Sequence, residues 1–348
     1  MYSFKGRGAT SNRDSRYAEI SVEREPADVG PAPDTECLPE TVKTIISHNQ
    51  SPDIPFEQSI NPYRGCEHGC VYCYARPTHA WLDLSPGLDF ETRLRYKHNA
   101  AAVLERELRK PGYVCKPITI GANTDPYQPI EKEYRITRQV LEVLQRFRHP
   151  LAIISKGSLI ERDLDILADM AADGLASVAI SVTTLDGELK RRMEPRAASA
   201  RARLHCIETL AAAGVPVSVL FAPVIPALND ADLEAILRLS AEAGASEAAY
   251  ILLRLPLEIS ALFQEWLREH YPLRAEHVLS LVRQCRGGRD YDTRFGHRMR
   301  GTGIFAELLE QRFQLACRKY GLVRREQKTG NCSLFKPPPA SGDQFDLF

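Results

Sequence analysis

Short apolar runs alternate with longer amphipathic stretches along the chain from residue 56 onward. The short runs have the length and composition of β-strands, and they cover residues 56–63, 118–123, 151–155, 177–184, 215–221 and 248–253. The stretches between them carry apolar residues at helical spacing, at 91–108, 137–147, 161–172, 198–213 and 231–243. Because strands that alternate with helices are typical of parallel β/α units, the pattern predicts an α/β fold, a partial (β/α)6 TIM-like barrel.

Period-two alternation within these strands directs a set of small and polar side chains to the barrel interior. The set comprises Thr119, Gly121, Asn123, Ala179, Ser181, Thr183, Tyr250 and Arg254. A purely structural barrel would carry branched apolar residues at such positions. Since barrels place functional groups at the carboxyl ends of their strands, these residues predict a cavity there.

The segments around the barrel differ from it in composition. Residues 1–55 are polar and dotted with proline, which predicts a flexible N-terminal arm. The core barrel is predicted at 56–257 and a helical, basic extension at 258–325, with its last amphipathic helix at 305–320. The proline- and glycine-containing residues 326–348 predict a flexible tail.

Composition narrows the functional classes. The 348 residues include 45 basic and 45 acidic side chains, so no global field attracts nucleic acid or a membrane, and any such surface must be local. No apolar stretch approaches the roughly 20 residues that cross a bilayer, and the N-terminal residues lack the apolar core of a signal peptide. Nine cysteines, an odd number, fit a reducing compartment. We therefore expect a cytoplasmic protein.

Three of the cysteines stand close together in sequence. Cys66, Cys70 and Cys73 form a CxxxCxxC pattern on a glycine-containing loop. This spacing lets three thiolates bind one iron-sulfur cluster and leaves one corner without a protein ligand. A structural zinc site, with His68 as the fourth ligand that zinc prefers, and three reduced core cysteines are the alternatives.

The cysteine loop resembles that of the radical S-adenosylmethionine (SAM) superfamily. The resemblance implies a 4Fe-4S cluster held by the three cysteines and SAM bound at the open corner. It also implies that an electron from the cluster cleaves SAM to methionine and a 5′-deoxyadenosyl radical. Tyr72 would then lie against the SAM adenine, and a flavodoxin or ferredoxin would supply the electron.

Further segments resemble the spore photoproduct lyase-like branch of this superfamily, which contains a DNA-repair enzyme and uncharacterised bacterial relatives. They are residues 121–127, 154–157, 181–184, 193–195 and 221–225. The resemblance implies that Lys156 and Ser181 contact the amino-acid end of SAM. Glu194 and Arg196 follow the fourth strand, and this position predicts a contact with a ribose or with the substrate. A solvated lysine, a serine bonded to backbone and a surface ion pair are the alternatives.

Asn123 departs from that branch. It stands at the end of the second strand, where the repair lyase has a cysteine that returns a hydrogen atom to the substrate radical. Asparagine has no weak S–H bond to give, so the same lesion chemistry is not implied. We group Asn123 with the cofactor-binding residues and leave the substrate and the hydrogen-atom donor open.

A basic segment at 283–300 interleaves arginines with Tyr291 and Phe295. Such a pattern can contact phosphates and stack on bases, so Arg294, Arg298 and Arg300 are candidate nucleic-acid contacts. The alternative is a cap on the barrel whose arginines pair with Asp290, Asp292 or the barrel.

The last five residues, 344–348, resemble the pentapeptide by which bacterial repair and replication proteins bind the sliding clamp. An apolar pair at the end of a polar tail suits a partner's pocket. Gln344, Leu347 and Phe348 are the candidate clamp contacts.

Together these features predict a radical SAM enzyme, lyase-like, that acts on an unknown substrate. DNA repair is the inference from the branch, and modification of RNA or protein stays open. The alternative is a non-catalytic nucleic-acid-binding protein in which an iron-sulfur cluster or a zinc ion has only a structural role.

Overall fold

The computed structural model describes residues 6–17, 34–324 and 330–339. Its strands are β1 (Glu36–Pro39), β2 (Ser47–His48), β3 (Gln58–Ile60), β4 (Tyr63–Arg64), β5 (Arg93–Tyr96), β6 (Ile118–Ile120), β7 (Leu151–Ser155), β8 (Ala176–Ser181), β9 (Val217–Val224), β10 (Glu247–Leu252) and β11 (Val323–Arg324). Its α-helices are α1 (Asp89–Thr92), α2 (Ala100–Leu108), α3 (Glu131–Tyr134), α4 (Ile136–Arg146), α5 (Leu164–Ala172), α6 (Gly187–Met193), α7 (Ala200–Ala212), α8 (Leu233–Glu242), α9 (Glu258–His270), α10 (Ala275–Gln284), α11 (His297–Arg300) and α12 (Ile304–Tyr320).

A curved sheet of parallel strands forms the body. Its strand order is β11-β10-β9-β8-β7-β6-β3-β2, and the six strands from β3 to β10 run parallel to one another. The short strand β2 is antiparallel to β3. Among the described residues, the edge strands β11 and β2 do not pair with each other, so the sheet is a partial barrel and the predicted (β/α)6 fold is confirmed.

Apolar side chains between the sheet and its helices form the main core. Val178 and Ile180 of β8 are buried there, as are Ile207 of α7 and Leu237 of α8. Full burial of one such side chain contributes about 1.5–3 kcal/mol. This layer fixes which residues of each strand point the other way, into the barrel.

Residues 91–108 do not form the single helical stretch that their sequence pattern predicted. Residues 93–96 form β5, which pairs in parallel with β1 and antiparallel with β4. Polar and apolar residues alternate in the run Arg-Leu-Arg-Tyr, and Leu94 is buried whereas Arg93 is exposed. The strand forms because β1 supplies its backbone partners, and that partner lies more than 50 residues upstream.

Residues 6–17 and 34–55 belong to the folded body, in contrast to the flexible arm that we predicted. The N-terminal strap, residues 7–13, crosses the cysteine loop. A Cβ added at Gly8 would lie 1.7 Å from the carbonyl oxygen of Gly69, so only glycine permits this approach. The backbone N–H groups of Gly8 and Ala9 donate to the Glu91 carboxylate at 2.9 and 2.8 Å.

The C-terminal residues 330–339 also pack on the body, although residues 326–348 were predicted as a flexible tail. The ring of Phe335 lies 5.3 Å from that of His149 and 5.5 Å from that of Tyr113. Gln344, Leu347 and Phe348 lie outside the described residues, so clamp binding stays a prediction. Among the described helices, none is both long and apolar enough to cross a membrane.

Candidate active site

A cavity of about 190 Å³ lies at the carboxyl ends of the barrel strands. The three cysteines of the loop border it together with residues from the ends of β6, β7, β8, β9 and β10. Its walls comprise Cys66, His68, Cys70, Tyr72, Cys73, Tyr74, Gly121, Asn123, Asp125, Ile154, Ser155, Lys156, Ser181, Leu220, Ala222, Pro223, Ile251, Leu252 and Arg254. The predicted position of the cavity is therefore the observed one.

The cysteine loop brings three free thiols to this cavity. Burial raises the pKa of Cys66, of Cys70 and of Cys73 above the ordinary thiol value. A thiolate here therefore needs a cation, and metal binding is one way to release the proton. Three sulfur donors are the ligand set of an iron-sulfur cluster with one open corner, so the residues fit such a cluster.

The same thiols do not form a site for one ion. Within the part of the chain that the structure describes, no group of three His, Cys, Asp or Glu side chains is placed to hold a metal ion. Cluster thiolates bind different irons and stand further apart than the ligands of one ion. His68, the fourth ligand in the zinc alternative, directs Nδ1 toward Asp125 Oδ2 at 3.4 Å.

A buried arginine holds the cysteine loop from inside. Arg76 is fully buried and donates to the carbonyl oxygens of Cys70 at 2.9 Å and of Gly69 at 3.2 Å. Its other terminal nitrogen donates to the Pro86 and Gly87 carbonyls, and an ion pair with Glu91 neutralises it. Sequence reasoning missed Arg76 and Glu91, because arginine and glutamate alternating with apolar residues look like a solvated surface.

The residues predicted for SAM line the same cavity as the cysteines. The ammonium nitrogen of Lys156 lies 5.9 Å from the centre of the Tyr72 ring, and among the described residues it forms no ion pair. The Ser181 hydroxyl donates to the Ala222 carbonyl at 3.1 Å, and the Asn123 N–H donates to Asn61 Oδ1 at 2.8 Å. A carboxylate entering the cavity would find an available cation at Lys156.

Asp125 organises the wall between β6 and β7, and sequence reasoning missed it. Its carboxylate accepts from the Lys156 N–H at 2.7 Å and the Ser155 hydroxyl at 2.8 Å. Although burial acts to raise its pKa, the His68 ring and these hydrogen bonds together lower the pKa of Asp125 to about 2. A charged residue just after a strand's carboxyl end was the available signal.

Glu194 is not among the described residues that line the cavity, and its predicted cofactor contact stays a prediction. Its buried carboxylate accepts from the Tyr72 hydroxyl and from Thr183 Oγ1 at 2.7 Å, and it pairs with the buried Arg203. Arg196, which we grouped with it, pairs instead with Glu67. Glu194 thus lies behind Tyr72 and positions the ring that reaches the cavity.

The side chain of Tyr250 does not face the direction that we predicted. We placed it on the inward face with Arg254, but its hydroxyl donates to Glu310 of α12 at 2.8 Å and its ring lies 4.9 Å from Phe313. The pairing of β10 with β9 shifts register between Tyr250 and Leu252, which breaks the alternation. Arg254 does line the cavity.

The three arginines predicted to contact nucleic acid all have carboxylate partners. Arg294 pairs with Asp292 at 2.7 Å. Asp53 accepts from Arg298, and Glu310 accepts from Arg300. Arg294 pairs as the cap alternative predicted, whereas the partners of Arg298 and Arg300 lie before β3 and in α12 and not in the barrel strands. Nucleic-acid contact by these residues stays a prediction.

Comparison with known proteins agrees with the site. The sequence model of the Radical SAM superfamily matches residues 60–240. An uncharacterised protein of Mycobacterium tuberculosis is 39% identical over 233 residues, which cover 66% of this chain and 68% of the relative. An uncharacterised protein of Methanocaldococcus jannaschii is 29% identical over 213 residues, covering 61% of this chain and 76% of that protein.

Among solved structures, a mutant spore photoproduct lyase with bound AdoMet and dinucleoside spore photoproduct has a similar fold. Its TM-score is 0.59 at 15% identity, over 86% of this chain and 87% of that one. At that identity the likeness concerns the fold. The family match extends over more than half of the chain and includes the three cysteines that meet at the cavity. The chain therefore belongs to the radical SAM superfamily, whose cofactors are a 4Fe-4S cluster and SAM.

Proposed function

We propose that this protein is an enzyme that cleaves SAM reductively and directs the resulting radical at a substrate held at the open side of the cavity. The observation that carries the proposal is the meeting of Cys66, Cys70, Cys73, Lys156 and Ser181 on one cavity wall. When bound, the reduced cluster supplies the electron that splits SAM into methionine and a 5′-deoxyadenosyl radical.

The residues of the chain have separable roles in this proposal. Lys156 binds the SAM carboxylate, since its ammonium lines the cavity without a partner carboxylate among the described residues. Ser181 adds a hydroxyl at the adjacent strand end. Apolar side chains from β9 and β10, including Leu220 and Ile251, exclude water from the radical.

If the return of a hydrogen atom to the substrate needs a protein thiol, the substrate of this protein differs from that of a repair lyase. Among the described residues that line the cavity, the cysteines are the three cluster ligands, and Asn123 stands at the end of β6. Nucleic acid remains the first substrate class to test, because the lyase of similar fold was solved with a dinucleoside photoproduct. We propose a flavodoxin or ferredoxin as the electron donor.

The test is anaerobic reconstitution with iron and sulfide, followed by dithionite and SAM, with methionine and 5′-deoxyadenosine measured together. We expect equal amounts of both from the wild type and neither from Cys70→Ala. Cys206→Ala, which removes a buried thiol outside the cavity, is the matched control and should behave as the wild type. A fully loaded wild-type cluster that never cleaves SAM would contradict the proposal and favour a structural cluster.

A further inference from the structure

Arg254 is a cation on the cavity wall, and no carboxylate in the described part of the chain neutralises it. Among the described residues it forms no ion pair. Its guanidinium carbon lies 5.3 Å from the centre of the Tyr74 ring and 5.9 Å from that of Tyr291. One terminal nitrogen donates to the Tyr291 hydroxyl at 3.2 Å and the other to Met299 Sδ at 3.6 Å. Its Nε is buried, and among the described residues it has no acceptor.

A second arginine lies beside it. Arg286 is 1% exposed and donates to the carbonyl oxygens of Leu252 at 3.1 Å, Leu253 at 2.6 Å and His297 at 2.8 Å. Its Nε also lacks an acceptor in the described part of the chain, as does the Nδ1 of His297. Among the described residues, three buried polar nitrogens near the end of β10 therefore have no hydrogen-bond partner: Arg254 Nε, Arg286 Nε and His297 Nδ1.

The charge of this region is unbalanced. Burial, with a further contribution from Arg254, lowers the pKa of Arg286 to about 10. The carboxylate of Asp292 acts in the opposite direction on this pKa, but it is paired with Arg294 at 2.7 Å. Because a buried cation without a counter-charge is costly, an oxyanion beside Arg254 would stabilise the site.

The proposed function assigns the single carboxylate of SAM to Lys156, so we assign the anion beside Arg254 to another molecule. Lys156 follows β7 and Arg254 follows β10, with β8 and β9 between them. Neighbouring strands are about 4.8 Å apart, so the two strand ends are separated by about 14 Å along the sheet. SAM carries one carboxylate and no phosphate, so Lys156 and Arg254 serve two different anions.

We propose that Arg254 is the anion anchor of the substrate and binds a phosphate or carboxylate group through its guanidinium fork. The inference rests on the proposed function, because the anchor holds the substrate next to SAM. A planar guanidinium matches both oxyanions in a two-pronged geometry. The rings of Tyr74 and Tyr291 each contact the guanidinium and hold it in place. The side chain of Tyr74 is 47% exposed, which leaves room for the substrate beside it.

The test is a calorimetric titration of the reconstituted full-length protein with SAM present. The ligands are phenyl phosphate and benzoate, and benzyl alcohol is the neutral analogue. We expect saturable binding of at least one anion and none of the alcohol. Arg254→Gln should weaken binding at least about tenfold, as loss of a charged hydrogen bond does, and Arg254→Lys should retain part of it. Tighter phenyl phosphate would identify a phosphate-bearing substrate, and tighter benzoate a carboxylate.

Arg238→Gln is the matched control, because it removes the same charge from an exposed position on α8 and should leave the affinities unchanged. Equal affinity in Arg254→Gln and the wild type, equal weakening by Arg238→Gln, or no saturable anion binding by the wild type would each overturn the anchor. Cluster absorbance of every variant checks that it is folded and loaded. Absence of 5′-deoxyadenosine from the wild type would instead contradict the proposed function, whatever the anions do.

Discussion

The hydroxyl of Tyr72 donates a hydrogen bond to the buried carboxylate of Glu194. The bond joins the cysteine loop to the segment after α6, and the same carboxylate pairs with Arg203 of α7. The ring of Tyr72 lines the cavity while its hydroxyl is held outside it. The ring's position therefore depends on the ion pair between Glu194 and Arg203, neither of which is among the described residues that line the cavity.

Glu194→Gln should destabilise the fold strongly. The substitution removes the counter-charge of Arg203, which is 2% exposed, and breaking a buried pair from one side costs about 3–5 kcal/mol. The free energy of unfolding, measured by urea denaturation of the apoprotein, checks this.

Glu188→Gln is the control for that measurement. Glu188 pairs with Arg192 one helical turn away on an exposed face of α6, and such pairs contribute about 0.3–0.5 kcal/mol. A loss in Glu194→Gln no larger than in Glu188→Gln would show that the buried pair is not needed.

Lys156→Ala should weaken SAM binding. A hydrogen bond to a charged group contributes about 1.5–3 kcal/mol, so the dissociation constant of SAM should rise about tenfold or more. Equilibrium dialysis of the reconstituted protein measures it, with Lys319→Ala, an exposed lysine of α12, as the control. Unchanged affinity in Lys156→Ala would remove this residue from the SAM site.

Gly8→Ala should loosen the cysteine loop. The added methyl group would lie 1.7 Å from the Gly69 carbonyl oxygen, so the strap must move away at a cost of about 1–3 kcal/mol. We expect a lower thermal midpoint and faster loss of cluster absorbance in air. In Gly187→Ala the new methyl group would meet nothing within 4 Å, and this variant should match the wild type. Equal cluster lifetimes in Gly8→Ala and Gly187→Ala would contradict a role for the strap.

His149 should make stability depend on pH. Burial lowers its pKa from 6.5 to about 4, so between these pH values His149 is protonated in the unfolded chain and neutral in the folded chain. The contribution of this difference to the free energy of unfolding is complete above pH 6.5 and is lost as the pH falls toward 4. Between pH 6.5 and about pH 5 the loss is about 1.5 kcal/mol.

The measurement compares urea unfolding of the apoprotein with that of His149→Gln across this pH range. The wild type should lose stability relative to the variant by that amount as the pH falls. His205→Gln, which changes an exposed histidine of α7, should follow the wild-type profile. Parallel profiles for the wild type and His149→Gln would show that His149 does not titrate as its burial implies.

The barrel and the cavity wall could be predicted from the sequence because both depend on local patterns. Strand alternation placed Gly121, Asn123 and Ser181 inward, and the cysteine spacing placed the cluster loop. The helix expected over 91–108 was wrong because residues 93–96 have a strand partner that is distant in sequence. Tyr250 was misplaced because a register shift interrupts its strand.

The support behind the cavity could not be predicted. The sequence around Arg76 and Arg203 does not mark either arginine as buried, and only tertiary contacts reveal that each is paired with a buried glutamate. Arg254 was placed on an inward face, but its lack of a counter-charge depends on how every neighbouring carboxylate is engaged. Such pairing is a property of the whole fold and leaves no local pattern.

The strap at residues 7–13 has a practical consequence for anyone who expresses this protein. The superfamily match begins at residue 60 and ends at residue 240. A fragment trimmed to that match would lack both the strap and Glu265 of α9, to which Ser11 donates at 2.6 Å. The same fragment would also lack the barrel strand β10 and most of β3. Failure of the fragment to retain iron would then report missing structure around the cysteine loop, while the three cysteines themselves remained present.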